Sequence, residues 1–173
     1  MRATKGLCAV AAMSLGALTG VLGAGVPAPR LAVASIDDVP IAVSHPYDNL
    51  GDADEDLAAA MTRARSDGKR VLIELGADWC VDCIVLANVM RIPTLASFVA
   101  DHYDVVLVDV GRFNRNTAIA ERYGIALRRD GVPAILILDR GGKLLNPGHT
   151  AVLVDARRLQ PQAIADWLAQ WAE

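Results

Sequence analysis

The 173-residue chain has no run of lysine or arginine, and its formal net charge is only −3. Without a basic stripe there is no electrostatic footprint for nucleic acid or for an anionic membrane surface, so neither is an expected partner. Histidine and cysteine are scarce, at three residues each. His45, His102 and His149 show no H-x₃₋₅-H spacing and no second C-x-x-C exists, which leaves a four-ligand zinc site without donors. Covalent haem attachment needs histidine directly after the second cysteine of a C-x-x-C, and residue 84 is isoleucine. No metal and no cofactor are therefore expected. Internal repeats and low-complexity tracts are also missing.

What is present is apolar. Hydrophobic residues make up 53% of the chain, enough for one domain with a substantial core and no need of a metal or disulfide staple. Residues 1–34 differ in composition from the rest. "MRATK" supplies positive charge, "GLCAVAAMSLGALTGVLGAGV" is uncharged and apolar, and "AVA" at 32–34 offers small residues before a cleavage point. These features predict an export signal cut after Ala34, with Ala28 as an alternative. The apolar stretch is also long enough for an uncleaved anchor in the inner membrane, facing the periplasm. Cleavage removes Cys8 and leaves Cys80 and Cys83 as the only cysteines, in a compartment where disulfides persist.

Residues 35–51 carry two prolines and no sustained periodicity, and read as a linker or an arm. A domain over 52–173 follows. Asp52 and Glu55 match a capping box, with Leu57, Met61 and Ala64 on one face until Gly68. "RVLIEL", "DVVLVDV" and "AILILD" read as buried strands, and "CVDCIVLANVM", "TLASFVADHY", "NTAIAERYG" and "QPQAIADWLAQWAE" as helices. Pro93 should end or kink the first of those helices near Arg91–Ile92. Asp139, Gly141 and Gly142 mark a tight turn into "KLLN", which predicts a late antiparallel hairpin. The alternation predicts an α/β fold, a central mixed sheet flanked by helices. Trp167 and Trp171 fall on a helical stripe and read as core.

Three chemistries compete for Cys80 and Cys83: a redox couple, half a metal site, or two small core residues. At the start of a helix after a buried strand, Cys80 meets free N–H groups and the positive end of the helix dipole, which favour a thiolate. Cys83, one turn further, is placed to attack a mixed disulfide on Cys80 and resolve it. Glu74 sits six residues before Cys80 in the middle of a strand, where a charge is costly unless paired or protonated. The bland alternative is an edge-strand acid facing water. Asp78 and Asp82 read as a solvated rim or, close to Cys80, as charges that oppose its thiolate and make the couple more reducing.

The strand, "ADWCVDC", the helix and the distant "GVPAILILD" together resemble the thioredoxin superfamily over roughly 52–173. The likeness is to small exported thioredoxin-like proteins and to the C-terminal domain of DsbD-type thiol:disulfide interchange proteins. It implies a thioredoxin fold, a cis peptide between Val132 and Pro133 facing the cysteines, and a groove lined by Val132, Pro133 and Trp79 where an extended partner pairs its backbone. It also implies a proton-transfer role for Glu74, where the family commonly carries aspartate. Ile84 departs from the pattern, because many thioredoxins place a basic side chain there. The resulting expectation is an exported thiol-disulfide oxidoreductase, a reductant of disulfide-containing exported proteins recharged by an upstream dithiol donor. The competing expectation is a redox-inert binding or chaperone-like module with a structural Cys80–Cys83 disulfide.

Overall fold

Strand β1 (Arg70–Gly76) is buried from Val71 onward because it runs down the middle of a three-stranded sheet in the order β2-β1-β3. The computed structural model describes residues 26–47 and 51–173. Strand β2 (Tyr103–Asp109) lies parallel to β1, with Leu107 opposite Glu74, and β3 (Ala134–Leu138) lies antiparallel, with Ile135 opposite Glu74. A parallel pair needs a crossover, supplied here by α2 (Val81–Val89) and α3 (Pro93–His102). Pro93 occupies the first turn of α3, and the two helix axes bend by 86° at the break. The expected break near Arg91–Ile92 is thus also the start of the next helix.

Helix α1 (Ala53–Asp67) begins where the Asp52 carboxylate accepts from the Asp54 and Glu55 amides, and it stops at Gly68, whose φ of 78° suits glycine. Its buried Leu57, Ala60 and Ala64 share a core with Val71, Ile73 and Leu75 of β1. Met61 is only partly buried beside them. Leu72, of opposite parity, packs with Leu86 and Val89 of α2, with α3, and with Ile164, Trp167 and Leu168 of α6 (Pro161–Gln170). Side chains alternate along a strand, so Glu74 and Gly76 share the face of Leu72, turned toward α2. Short helices α4 (Thr117–Glu121) and α5 (Leu127–Asp130) connect β2 to β3; α5 carries no sequence periodicity and was not expected.

The hairpin expected at "KLLN" is not formed as a strand. The turn and its antiparallel pairing are present but no longer than one bridge: Leu138 faces Leu144, the Asp139 amide donates to the Lys143 carbonyl at 3.0 Å and the Leu145 amide to the Ile137 carbonyl at 2.8 Å. The reason lies in Asn146, whose buried side chain takes the position of a fourth strand: its Oδ1 accepts from the Ile137 amide at 2.9 Å and its Nδ2 donates to the Ile135 carbonyl at 2.9 Å. Pro147 follows and has no amide to continue a ladder.

The arm ahead of α1 lies on the domain rather than away from it. Val26, Ala28, Leu31, Val33, Ile36 and Val39 pack against the α2, α3 and α6 core. Gln162 accepts from the Leu31 amide and donates to the Pro29 carbonyl, each at 3.0 Å. A cut after Ala34 removes the packed stretch 26–34; the charged start and most of the apolar run of the expected signal lie outside the described residues. Among the described residues no single helix is long and apolar enough to cross a membrane.

Replacing Asn146 abandons two buried backbone groups at once. Asn146→Ala is expected to lower unfolding free energy by about 1–3 kcal/mol per group left unpaired. Urea titration of the folded variant measures it.

Candidate active site

Cys80 is the N-cap of α2, in an extended backbone conformation, so its side chain turns back over the first turn of the helix. The Cys83 amide donates to Cys80 Sγ at 3.3 Å. Both cysteines are free thiols; Cys80 is 7% exposed and Cys83 is fully buried. Their titrations are driven apart. A hydrogen bond from the Cys83 thiol, aided by the Cys83 amide, lowers Cys80 to about 7 against burial and the Asp82 charge, which both raise it. Burial, then the bond given up to Cys80, pushes Cys83 far above the usual thiol range. Near neutral pH one sulfur is poised to ionise while the other holds its proton.

The Val132–Pro133 peptide is cis, and the Val132 carbonyl oxygen lies 3.5 Å from Cys80 Sγ as acceptor of its thiol. Val132 and Pro133 are both buried. That carbonyl is engaged by the Cys80 thiol. Trp79, 43% exposed, is held beside Cys80 by a bond from Nε1 to the Gly111 carbonyl and by edge contact with Phe113, ring centroids 5.6 Å apart. The Arg112 guanidinium lies 5.8 Å from the centre of its ring.

Glu74 is fully buried, not an edge acid facing water. Burial raises its carboxyl to about 7; a hydrogen bond from Tyr47 and the charge of Arg91 lower it, while Cys80 raises it. Tyr47 Oη donates to Glu74 Oε1 at 2.7 Å, and among the described residues Oε2 has no hydrogen-bond partner. Gly76 completes the pocket. A β-carbon there would stand 2.1 Å from Tyr47 Oη and 2.9 Å from Cys83 Sγ, so the missing side chain is what lets hydroxyl and sulfur approach the same point of β1.

Of the two aspartates, read as a solvated rim or as charges opposing the Cys80 thiolate, Asp82 fits the second reading. Asp82 is buried; its Oδ1 accepts from the Arg157 amide at 3.0 Å and its Oδ2 lies 3.5 Å from the Arg157 guanidinium. Its charge still opposes the Cys80 thiolate. Asp78 anchors the arm instead, accepting from the Tyr47 amide at 3.0 Å, with His45 Nδ1 at 3.9 Å.

Sequence reasoning brought Cys80, Cys83, Glu74, Trp79, Val132 and Pro133 to one neighbourhood and missed Tyr47, Asn88 and Arg157. Asn88 on α2 clamps the arm: its Oδ1 accepts from the Ala42 and Val43 amides and its Nδ2 donates to the Val43 and Ile84 carbonyls. Tyr47 is the one aromatic residue of the 35–51 connector, and that was the available signal for it. Among the described residues no group of three or more His, Cys, Asp or Glu side chains is arranged to hold a metal ion.

A comparison with protein families matches residues 52–140 to the thioredoxin-like family. Among solved structures, a disulphide isomerase from Xylella fastidiosa Temecula1 is 33% identical, with a TM-score of 0.67 over 72% of this chain and 95% of that one. The C-terminal domain of DsbD from Neisseria meningitidis, in its oxidised form, is 21% identical, with a TM-score of 0.45 over 57% of this chain and 83% of that one. A DsbH oxidoreductase is 22% identical, with a TM-score of 0.41 over 59% and 81%. A comparison with curated proteins finds no match. With the family match covering half the chain and the Xylella protein spanned almost end to end, this chain belongs to the thioredoxin-like family.

Proposed function

We propose that the chain is a thiol-disulfide oxidoreductase that reduces disulfides of exported proteins, with Cys80 as nucleophile and Cys83 as resolving thiol. The observation that carries this reading is the split between the sulfurs: Cys80, capped by the Cys83 amide, sits near 7, and Cys83 is buried and held protonated. The Cys80 thiolate attacks one sulfur of a partner disulfide, forming a mixed disulfide and releasing the other partner sulfur as a thiolate that takes a proton from solvent. Cys83 then passes its proton to the Glu74 carboxylate and attacks Cys80 Sγ. A Cys80–Cys83 disulfide forms, the second partner thiolate leaves, and the partner has gained two electrons. A dithiol donor must return them. The Asp82 charge beside Cys80 disfavours the thiolate and so favours electron donation.

Export rests on the composition of the first 34 residues, and places the protein in the periplasm, or on the inner membrane facing it if the segment is uncleaved. Trp79, Val132 and Pro133 would line the groove that receives the partner chain. A second reading, disulfide isomerisation, is favoured by the likeness to the Xylella disulphide isomerase at 33% identity. It needs the Cys80 thiolate alone, so Cys83→Ser retains isomerase action and loses net reduction.

Cys83→Ser is expected to accumulate mixed disulfides through Cys80 and Cys80→Ser to accumulate none, by non-reducing electrophoresis after exposure to oxidised protein. Trapping by neither variant leaves the redox-inert binding module as the better reading.

The rate of alkylation at Cys80 should follow a midpoint near 7. Arg157→Ala unmasks the Asp82 charge and should move that midpoint upward, by less than about one unit because Arg157 is half exposed.

Glu74 ties function to stability. Its folded carboxyl titrates near 7 against an ordinary 4.5, so the folded state binds the proton more tightly than the unfolded chain does. Stability is therefore full below the ordinary value and declines as pH rises toward 7, by up to about 3 kcal/mol. Glu74→Gln is expected to remove that decline in denaturant titrations at several pH values, and to slow reduction of a partner disulfide near neutral pH. An unchanged rate removes Glu74 from the mechanism.

A further inference from the structure

We propose that Tyr47 is a positioning residue for the second half of the reaction: its hydroxyl fixes the Glu74 carboxyl by Oε1 and reserves Oε2 to receive the proton of Cys83. This deepens, and rests on, the oxidoreductase reading above. Three observations carry it. Tyr47 Oη donates to Glu74 Oε1 at 2.7 Å, both groups being buried, while Oε2 alone is left without a partner among the described residues. A buried carboxyl oxygen without a donor is costly, and it is tolerated where the group must change protonation. Gly76 brings Tyr47 Oη and Cys83 Sγ against one point of β1, on the face that Glu74 shares. The arm that carries Tyr47 is tied down on both sides of the site, by Asn88 through Ala42 and Val43 and by Asp78 through the Tyr47 amide.

The chemistry requires such a device. Cys83 is fully buried, out of contact with bulk solvent, so a base inside the protein is the shortest route for its proton. Around Glu74 the charged and titratable groups are few. Tyr47 faces it from the arm, Cys80 and Cys83 from the active-site turn and α2, and Arg91 from beyond the end of α2. Leu107 of β2 and Ile135 of β3 flank it, and α1 turns apolar Leu57, Ala60 and Ala64 toward the sheet. Of these groups only the Tyr47 hydroxyl hydrogen-bonds the carboxyl. Its bond favours the carboxylate, the form able to accept a proton, and opposes burial, which favours the acid. In the resolving step the Cys83 S–H bond breaks, Glu74 Oε2 gains the proton, the Cys83 thiolate bonds to Cys80 Sγ, and the partner thiolate departs with the electron pair of the broken disulfide. Tyr47 keeps its own proton throughout, since burial and the neighbouring Glu74 charge raise its hydroxyl well above the ordinary value.

Tyr47→Phe keeps the ring and removes the hydroxyl, so it separates positioning from packing. Resolution of a preformed mixed disulfide on Cys80 is followed by stopped flow across pH, with circular dichroism confirming the fold. The expected result is a pH-rate profile moved about one unit toward alkaline pH, and resolution at pH 7 slowed severalfold. Mixed-disulfide formation, measured in the Cys83→Ser background, should run at the same rate with and without Tyr47→Phe. A wild-type profile in folded Tyr47→Phe overturns the proposal and leaves the ring as packing. An equal effect of Tyr47→Phe in a Glu74→Gln background overturns it too, because the hydroxyl then acts elsewhere. Failure of Cys83→Ser to trap any partner instead overturns the oxidoreductase reading itself. A spectroscopic readout on the unmodified protein stands independent of the variant's folding. The infrared C=O band of protonated Glu74, identified by its loss in Glu74→Gln, should lie at a hydrogen-bonded frequency; a free-carbonyl frequency rejects the contact.

Discussion

A carboxyl group in the central strand of a sheet has nowhere to send its charge, and much of this molecule is arranged around that difficulty. Glu74 is flanked by Leu107 and Ile135, covered by the arm and by α2, and, among the described residues, given a single hydrogen bond, from Tyr47. An apolar residue of the same size would make a more stable strand. Glutamate at this position therefore points to chemistry, and the parts around it follow from keeping the group dry yet able to change state. Gly76 opens the space, Tyr47 fills it, and Cys83 stands at its rim.

The cysteine pair shows a balance of opposing small effects. A capping amide and a neighbouring thiol favour charge on Cys80; burial and Asp82 disfavour it. Arg157 holds Asp82 through backbone and side chain, so the carboxylate between the two cysteines is fixed in place and partly neutralised. Had Asp82 pointed into water, its field at Cys80 would be screened and variable. Burying it with a partner converts a surface charge into a set value.

Much of this could be read from the residues alone, and what could not has a physical pattern. The three strands were legible because each is an apolar run with turn residues at its ends, and the cis Val132–Pro133 peptide because the resemblance to thioredoxins implies it. Glu74 stood out as a lone acid in such a run. An arm over 35–51 was legible as one of two readings, but its path was not: residues 26–47 have no period of their own and take their course from contacts with Gln162, Asn88 and Asp78, distant in sequence. The fourth strand was expected from a tight turn before "KLLN", but nothing in the local pattern says that one asparagine side chain can stand in for backbone amides. Where Asp82 points was not legible, because its partner, Arg157, is 75 residues away.

That asparagine has a consequence for the protein in company. An outer strand normally presents open amides and carbonyls to any extended chain that drifts past, and a second molecule can be stitched on by the same bonds that hold the sheet. Here Asn146 occupies the Ile135 carbonyl and the Ile137 amide, Thr150 occupies the Ile135 amide, and the Leu145 amide occupies the Ile137 carbonyl. The β3 margin is sealed by its own polypeptide. Crowding therefore finds no seam there to zip into aggregates.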